Sequence, residues 1–148
     1  MRVLESVLEV NAGQPATLVE LTTRALGSLG GRTIAVLGLA FKPDTNDTRE
    51  SPAFAVIRLL RAGGARVIAH DPVVTQAEVP DDILDGIELC TDLGSALRAA
   101  DAAVIVTSWR EYAALPSLLA SIDPQPLVVD GRRMLDPDSV ARYVGIGR

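Results

Sequence analysis

One stretch of the chain concentrates side chains able to hold an anion: Gly38-Leu39-Ala40-Phe41-Lys42-Pro43-Asp44-Thr45-Asn46-Asp47-Thr48-Arg49-Glu50-Ser51-Pro52. Lys42 is the only lysine, and the other thirteen basic residues are arginines. Either type serves a solvated face, so a lysine kept among arginines suits a place that needs a compact, flexible point charge. Survival by chance is the competing reading, and position decides between them. An ammonium here offers three donors to a phosphate or a sugar hydroxyl. Phe41 beside it either lines a sugar or base pocket or plugs the core. Asp44, Thr45, Asp47 and Thr48 are turn and cap formers, with Arg49 paired to Asp44 or Asp47.

Other residues compete for a chemical role. Asp71, before Pro72, stands where nucleotide-binding sheets often keep an acid for ribose hydroxyls, although Asp-Pro is also an ordinary turn. Arg132 and Arg133 in Asp130-Gly131-Arg132-Arg133 could fork onto a phosphate or carboxylate. Trp109, the only tryptophan, reads as a packing residue rather than a stacking platform. Cys90 lies between Leu89 and Thr91, with His70 the only histidine in the chain, and reads as an inert buried thiol. No nucleophile–base pair, carboxylate dyad or metal-ligand spacing stands out, so no catalytic residue and no metal ligand is assigned.

The elements that carry these residues alternate. Leu4, Val7, Leu8, Leu18, Leu21, Ala25 and Leu29 recur at helical spacing, predicting a helical arm over residues 1–30 that Pro15 kinks or splits and Gly30-Gly31 ends. Thr33–Leu37, Arg66–Ala69, Ala102–Val106 and Leu127–Val129 are short β-branched runs suited to buried parallel strands, with Tyr143–Ile146 a fifth. Ser51-Pro52 opens a helix, by a serine cap and a proline at the first helical position. Gly63-Gly64 stops it. Helices are also expected over Asp92–Ala100 and Tyr112–Ser121, and residues 73–89 read as loop with at most one helical turn. The expectation is a Rossmann-like α/β domain over residues 31–148, a parallel sheet of about five strands with helices on both faces. Ligands of such sheets bind outside the carboxyl ends of the strands, which selects the loops starting at Gly38, His70, Thr107 and Asp130.

Composition bounds the rest. The 148 residues are 48% apolar and 22% charged, enough for one domain with a sizeable core. A formal charge of −5 argues against binding a nucleic-acid backbone. No apolar run approaches the roughly 18 to 20 residues of a membrane span. The opening Met1-Arg2-Val3-Leu4-Glu5 lacks the basic flank and apolar stretch of a secretory signal, so a cytoplasmic location is expected. A dinucleotide fingerprint would place glycines at the first, third and sixth positions of the first turn. Here these are Gly38, Ala40 and Pro43.

The run from Ile34 to Pro52, with Gly38, Phe41-Lys42, Thr45, Asp47 and Arg49-Glu50-Ser51-Pro52, resembles the UDP-glucose/GDP-mannose 6-dehydrogenase family in its carboxyl-terminal nucleotide-sugar-binding domain. Asp71-Pro72, Thr107 with Trp109 and Glu111, Asp130-Gly131-Arg132, Val10-Asn11 through Gln14 and Gly27-Ser28-Leu29 extend the likeness over nearly all the chain. The resemblance implies that Phe41, Lys42 and Arg132 contact a UDP- or GDP-sugar, while Asp47, Arg49 and Asp71 brace the loop. It also implies an upstream NAD domain and a central helical region that carries the catalytic cysteine and holds a homodimer. The full enzyme would oxidise the sugar's C6 alcohol to a carboxylate in two hydride transfers, through a cysteine-bound thiohemiacetal and thioester. Cys90 lies in unrelated surroundings, and neither the glycine-flanked catalytic cysteine nor the NAD fingerprint is present in this sequence. The chain is therefore read as a fragment or separately made carboxyl-terminal domain, inactive alone and without a cofactor of its own. The alternative is a non-catalytic flavodoxin-like module that binds a nucleotide or a protein.

Overall fold

The computed structural model describes residues 15–146. Its centre is a six-stranded sheet: β1 (Thr33–Leu37), β2 (Arg66–His70), β3 (Ile87–Cys90), β4 (Ala102–Ile105), β5 (Leu127–Asp130) and β6 (Tyr143–Gly145). The strands lie in the order β3-β2-β1-β4-β5-β6, and every neighbouring pair is parallel. The chain therefore winds outward from β1 to β3, returns to β4 beside β1, and winds outward again. Right-handed crossovers then put the helices of the two halves on opposite faces. α2 (Pro52–Ala62) and α3 (Asp81–Leu84) cover one face, and α4 (Leu93–Ala99) and α5 (Leu115–Leu119) the other. Strand order reverses between β1 and β4, where Leu37 is in register with Ile105 on one side and His70 on the other.

The central strands form because they carry continuous apolar runs and are covered on both faces. Every residue of β4 and β5 is buried, as are Ile34 to Leu37 of β1. α2 begins where Ser51 Oγ accepts from Ala53 N–H at 3.2 Å and Pro52 occupies the first turn. It buries Phe54, Val56, Ile57 and Leu60, each contributing roughly 1.5–3 kcal/mol relative to exposure. Gly64, at φ +95°, ends it.

The sheet has six strands rather than about five. The extra one, β3, lies in the stretch read as loop, together with α3 and a 3-10 turn at Gln76–Glu78. As an edge strand paired only to β2 it is half-covered, so Ile87-Glu88-Leu89-Cys90 shows no continuous apolar run. The helix expected over Tyr112–Ser121 divides into a 3-10 turn (Arg110–Ala114) and α5, because Pro116 starts a new first turn. The helix before the sheet, α1, is described over residues 15–26. It ends at Gly27, φ +88°, and not at Gly30-Gly31, since Gly27 already supplies the left-handed residue that closes a helix. Leu18, Thr22 and Leu29 fasten this segment into the core. Leu4, Val7, Leu8, Val10, Asn11 and Gln14 lie outside the described residues.

Candidate functional site

The turns leaving β1, β2 and β4 meet at the point of strand reversal, and Asp71 joins them. Buried to 6% exposure, its carboxylate accepts five hydrogen bonds. Oδ2 accepts from Leu39 N–H (2.8 Å), Ala40 N–H (3.1 Å) and the indole Nε1–H of Trp109 (3.1 Å). Oδ1 accepts from Val73 and Val74 N–H, both at 2.8 Å. Thr107 Oγ1 donates to Ala40 O at 2.8 Å, tying the β4 turn to the β1 turn a second time. Gly38 permits this approach. At φ +101° it faces Thr107, whose Cβ would lie 2.5 Å from an added Cβ.

Beyond these anchors the β1 turn loops outward. Phe41 N–H donates to Asp47 O at 2.7 Å, closing the excursion. Asp44 and Glu50 adopt positive φ of 68° and 61°. Thr48 Oγ1 donates to Glu78 O at 2.6 Å, and Asp47 N–H donates to Thr45 Oγ1. Arg49 makes a forked pair with Asp47, Nε donating to Oδ1 at 3.0 Å and an Nη to Oδ2 at 2.8 Å. That hydrogen-bonded guanidinium holds the Asp47 carboxyl down at about 2, with a smaller pull from the Lys42 ammonium. The pair lies on the surface, so it adds shape more than stability. Phe41 is 50% exposed and does not plug the core, and Lys42 is exposed beside it. A cavity of about 320 Å³ is lined by Phe41, Asp47, Arg49 and Glu50. Another, of about 380 Å³, lies between Asp44 and the Arg110-Glu111 turn.

Arg132 stands on the same edge of the sheet, exposed in the turn after β5. Asp130, fully buried, shapes that turn. Its Oδ1 accepts from Arg132 N–H at 3.1 Å, and its Oδ2 from Leu135 N–H and the Tyr143 hydroxyl, each at 2.9 Å. Gly131 packs so closely on Leu18 of α1 and on Ile105 O that a Cβ there would lie 2.6 Å from that oxygen.

Asp71 thus sits at the predicted place, but with both oxygens occupied by the protein. Trp109 is a packing residue, 3% exposed, that also donates its indole hydrogen. Cys90 is half-buried rather than buried, because it ends the edge strand, and its thiol lies 3.2 Å from Asp92 O. His70 turns its Nδ1 to the buried hydroxyl of Tyr112 at 3.0 Å. Burial pushes its pKa down against the opposing pull of Asp71, and burial pushes the Tyr112 phenol up. Sequence reasoning missed the structural parts of Thr107, Asp130 and Glu78. The one available signal was a polar residue directly ending a buried strand, as Asp130 ends β5.

An α/β sheet in this order, with a long turn presenting an aromatic and an ammonium at the switch point, belongs to the class of Rossmann-like domains that take nucleotide ligands at the carboxyl edge. The chain belongs to the UDP-glucose/GDP-mannose dehydrogenase family: the profile of that family's UDP binding domain matches residues 35–137. It is 37% identical over 152 aligned positions to UDP-glucose 6-dehydrogenase TuaD of Bacillus subtilis (strain 168), covering 99% of this chain and 33% of that protein. It is 39% identical over 154 positions to UDP-glucose 6-dehydrogenase of Rhizobium meliloti (strain 1021), covering 100% of this chain and 35% of that protein. A UDP-glucose dehydrogenase from the hyperthermophilic archaeon Pyrobaculum islandicum superposes with a TM-score of 0.80 at 36% identity, over 95% of this chain and 31% of that one. The chain spans about a third of the length of the curated relatives it matches.

Proposed function

We propose that this chain is the nucleotide-sugar-binding, carboxyl-terminal part of an NAD-dependent UDP-glucose 6-dehydrogenase, and that Phe41, Lys42 and Arg132 touch the UDP-sugar. The carrying observation is the exposed Phe41–Lys42 pair at the tip of a turn pinned to the strand-reversal point. Lys42 would place its ammonium on the diphosphate, and Phe41 its ring along the sugar or base. Strands lie about 4.8 Å apart, so the ends of β1 and β5 are separated by about 10 Å. A diphosphate-linked sugar nucleotide bridges that span, with Arg132 forking onto its far side. Asp71, Asp47 and Arg49 would hold the loop in shape. Uridine is preferred over guanosine because the relatives named above are UDP-glucose enzymes. That family match also disfavours the flavodoxin-like module.

Two NAD molecules in succession would each accept one of the two hydrides that, with a water, convert the C6 alcohol to a carboxylate. The residues in hand do not fit this cofactor. The first turn has Ala40 and Pro43 where the fingerprint needs glycine, and the Asp71 carboxylate has no oxygen left for a ribose hydroxyl. A separate NAD domain, a central helical region continuous with residues 1–30, and a homodimer built on that region complete the proposal, in the cytoplasm. Among the described residues no helix is long and apolar enough to cross a membrane.

Calorimetric titration tests this reading. The chain alone should bind UDP-glucose weakly, show no heat with NAD, and give no NADH from the two together. Equal binding of NAD, or no heat with UDP-glucose at millimolar concentration, would overturn it.

A further inference from the structure

We propose that Trp109, acting through Asp71, is a positioning residue for the Phe41–Lys42 pair, so that the turn after β4 sets how the turn after β1 grips its ligand. The inference rests on the assignment of Lys42 made above. Trp109 is 3% exposed, so it cannot lay its ring on a bound nucleotide. Its indole N–H is spent instead on Asp71 Oδ2, the same atom that accepts from Leu39 and Ala40 N–H. Those two amides immediately precede Phe41. A carboxylate oxygen that accepts three donors is fixed in direction by all of them, so removing the indole hydrogen takes away the one side-chain donor that aims Oδ2 and leaves its direction to the backbone amides.

Ala40 is held at its other end as well, since its carbonyl accepts from Thr107 Oγ1, two residues before Trp109. Trp109 N–H in turn donates to Thr107 O at 2.9 Å, which makes Thr107-Ser108-Trp109 a single compact turn. Ala40, the residue that leads into Phe41 and Lys42, is therefore gripped at its N–H through Trp109 and Asp71, and at its C=O by Thr107. A backbone rotation at Ala40 would swing both side chains off the edge of the sheet. Phe41 and Lys42 are exposed and have little packing of their own to resist it.

A double-mutant cycle on the chain tests this, with Trp109→Phe, Lys42→Ala and the double variant, each measured for UDP-glucose Kd and for Tm. Trp109→Phe keeps a buried aromatic, removes the indole donor and leaves a smaller ring, whose packing cost the Tm reads separately. With Lys42 present it should weaken binding about fivefold. With alanine at position 42 it should cost clearly less, only what the displaced Phe41 ring loses, while the fall in Tm stays the same in both backgrounds. A merely structural tryptophan would lower Tm without that coupling. Thr107→Val, nearly isosteric and lacking the hydroxyl, should show the same coupling to Lys42, and it carries the test if Trp109→Phe folds poorly. Unchanged affinity in the variants that fold, or an equal loss in both backgrounds, overturns the proposal. Unchanged affinity in Lys42→Ala alone would overturn the assignment of Lys42, and this inference with it.

Discussion

Replacing Asp71 with asparagine changes one oxygen to an NH2 group and keeps the shape, so its cost isolates what the carboxylate does. Oδ2 receives three donors and Oδ1 two. A primary amide has one acceptor oxygen, and its NH2 must face one of the two groups donor to donor. The smaller loss turns the NH2 towards Val73 and Val74, stranding two backbone amides. At about 1–3 kcal/mol for each unsatisfied buried group, the loss would be about 2–6 kcal/mol. Val73 is 46% exposed, so water recovers part of it and the expected loss is about 2–4 kcal/mol. Urea unfolding followed by circular dichroism measures the total. Amide hydrogen exchange locates it: protection should fall at Val73 and Val74 and persist at Leu39 and Ala40. A loss below about 1 kcal/mol would refute the reasoning, because two stranded backbone amides cannot be left unpaired at that cost.

Gly38→Ala should destabilise by about 2–4 kcal/mol, since the new methyl meets Thr107 and the backbone sits at positive φ. Thr107→Gly should not rescue it, because the backbone nitrogen of residue 107 would still lie 2.7 Å from the new Cβ. The folded-state pKa of His70 lies below its unfolded value, so the unfolded chain binds more protons as pH falls below about 6.5. Stability should therefore be full above that pH and decline with acidification down to the folded-state pKa. Urea midpoints of wild type and His70→Gln from pH 7.5 to 5 check this, the variant losing that part of the slope.

The strands that hold the sheet together were legible because β4, Ile34 to Leu37 of β1 and Leu127 to Val129 of β5 are continuous apolar runs, and burial on both faces demands that. β3 was not, since a half-covered edge strand needs apolar residues on only part of its surface, and Ile87-Glu88-Leu89-Cys90 resembles the loop around it. The outward turn could be read from Lys42 as the sole lysine, from Phe41 beside it, and from the serine and proline that open α2. What holds it in place could not. Four of the five donors to Asp71 are backbone amides, present in every residue except proline, and only the folded chain brings them together. Trp109 was legible as a buried ring, but the partner of its indole hydrogen lies 38 residues away. The kink or split expected at Pro15 concerns residues before it, which lie outside the described residues.

The most direct test of the Lys42 assignment is amide and side-chain NMR of isotope-labelled chain titrated with UDP-glucose. Shifts should concentrate at Phe41, the Lys42 ammonium and Arg132, all on the carboxyl edge of the sheet, and shrink markedly in Lys42→Ala at the same ligand concentration. Shifts gathered instead at the opposite edge, around Gly31, Gly64 and Asp101 where β1, β2 and β4 begin, would contradict the account.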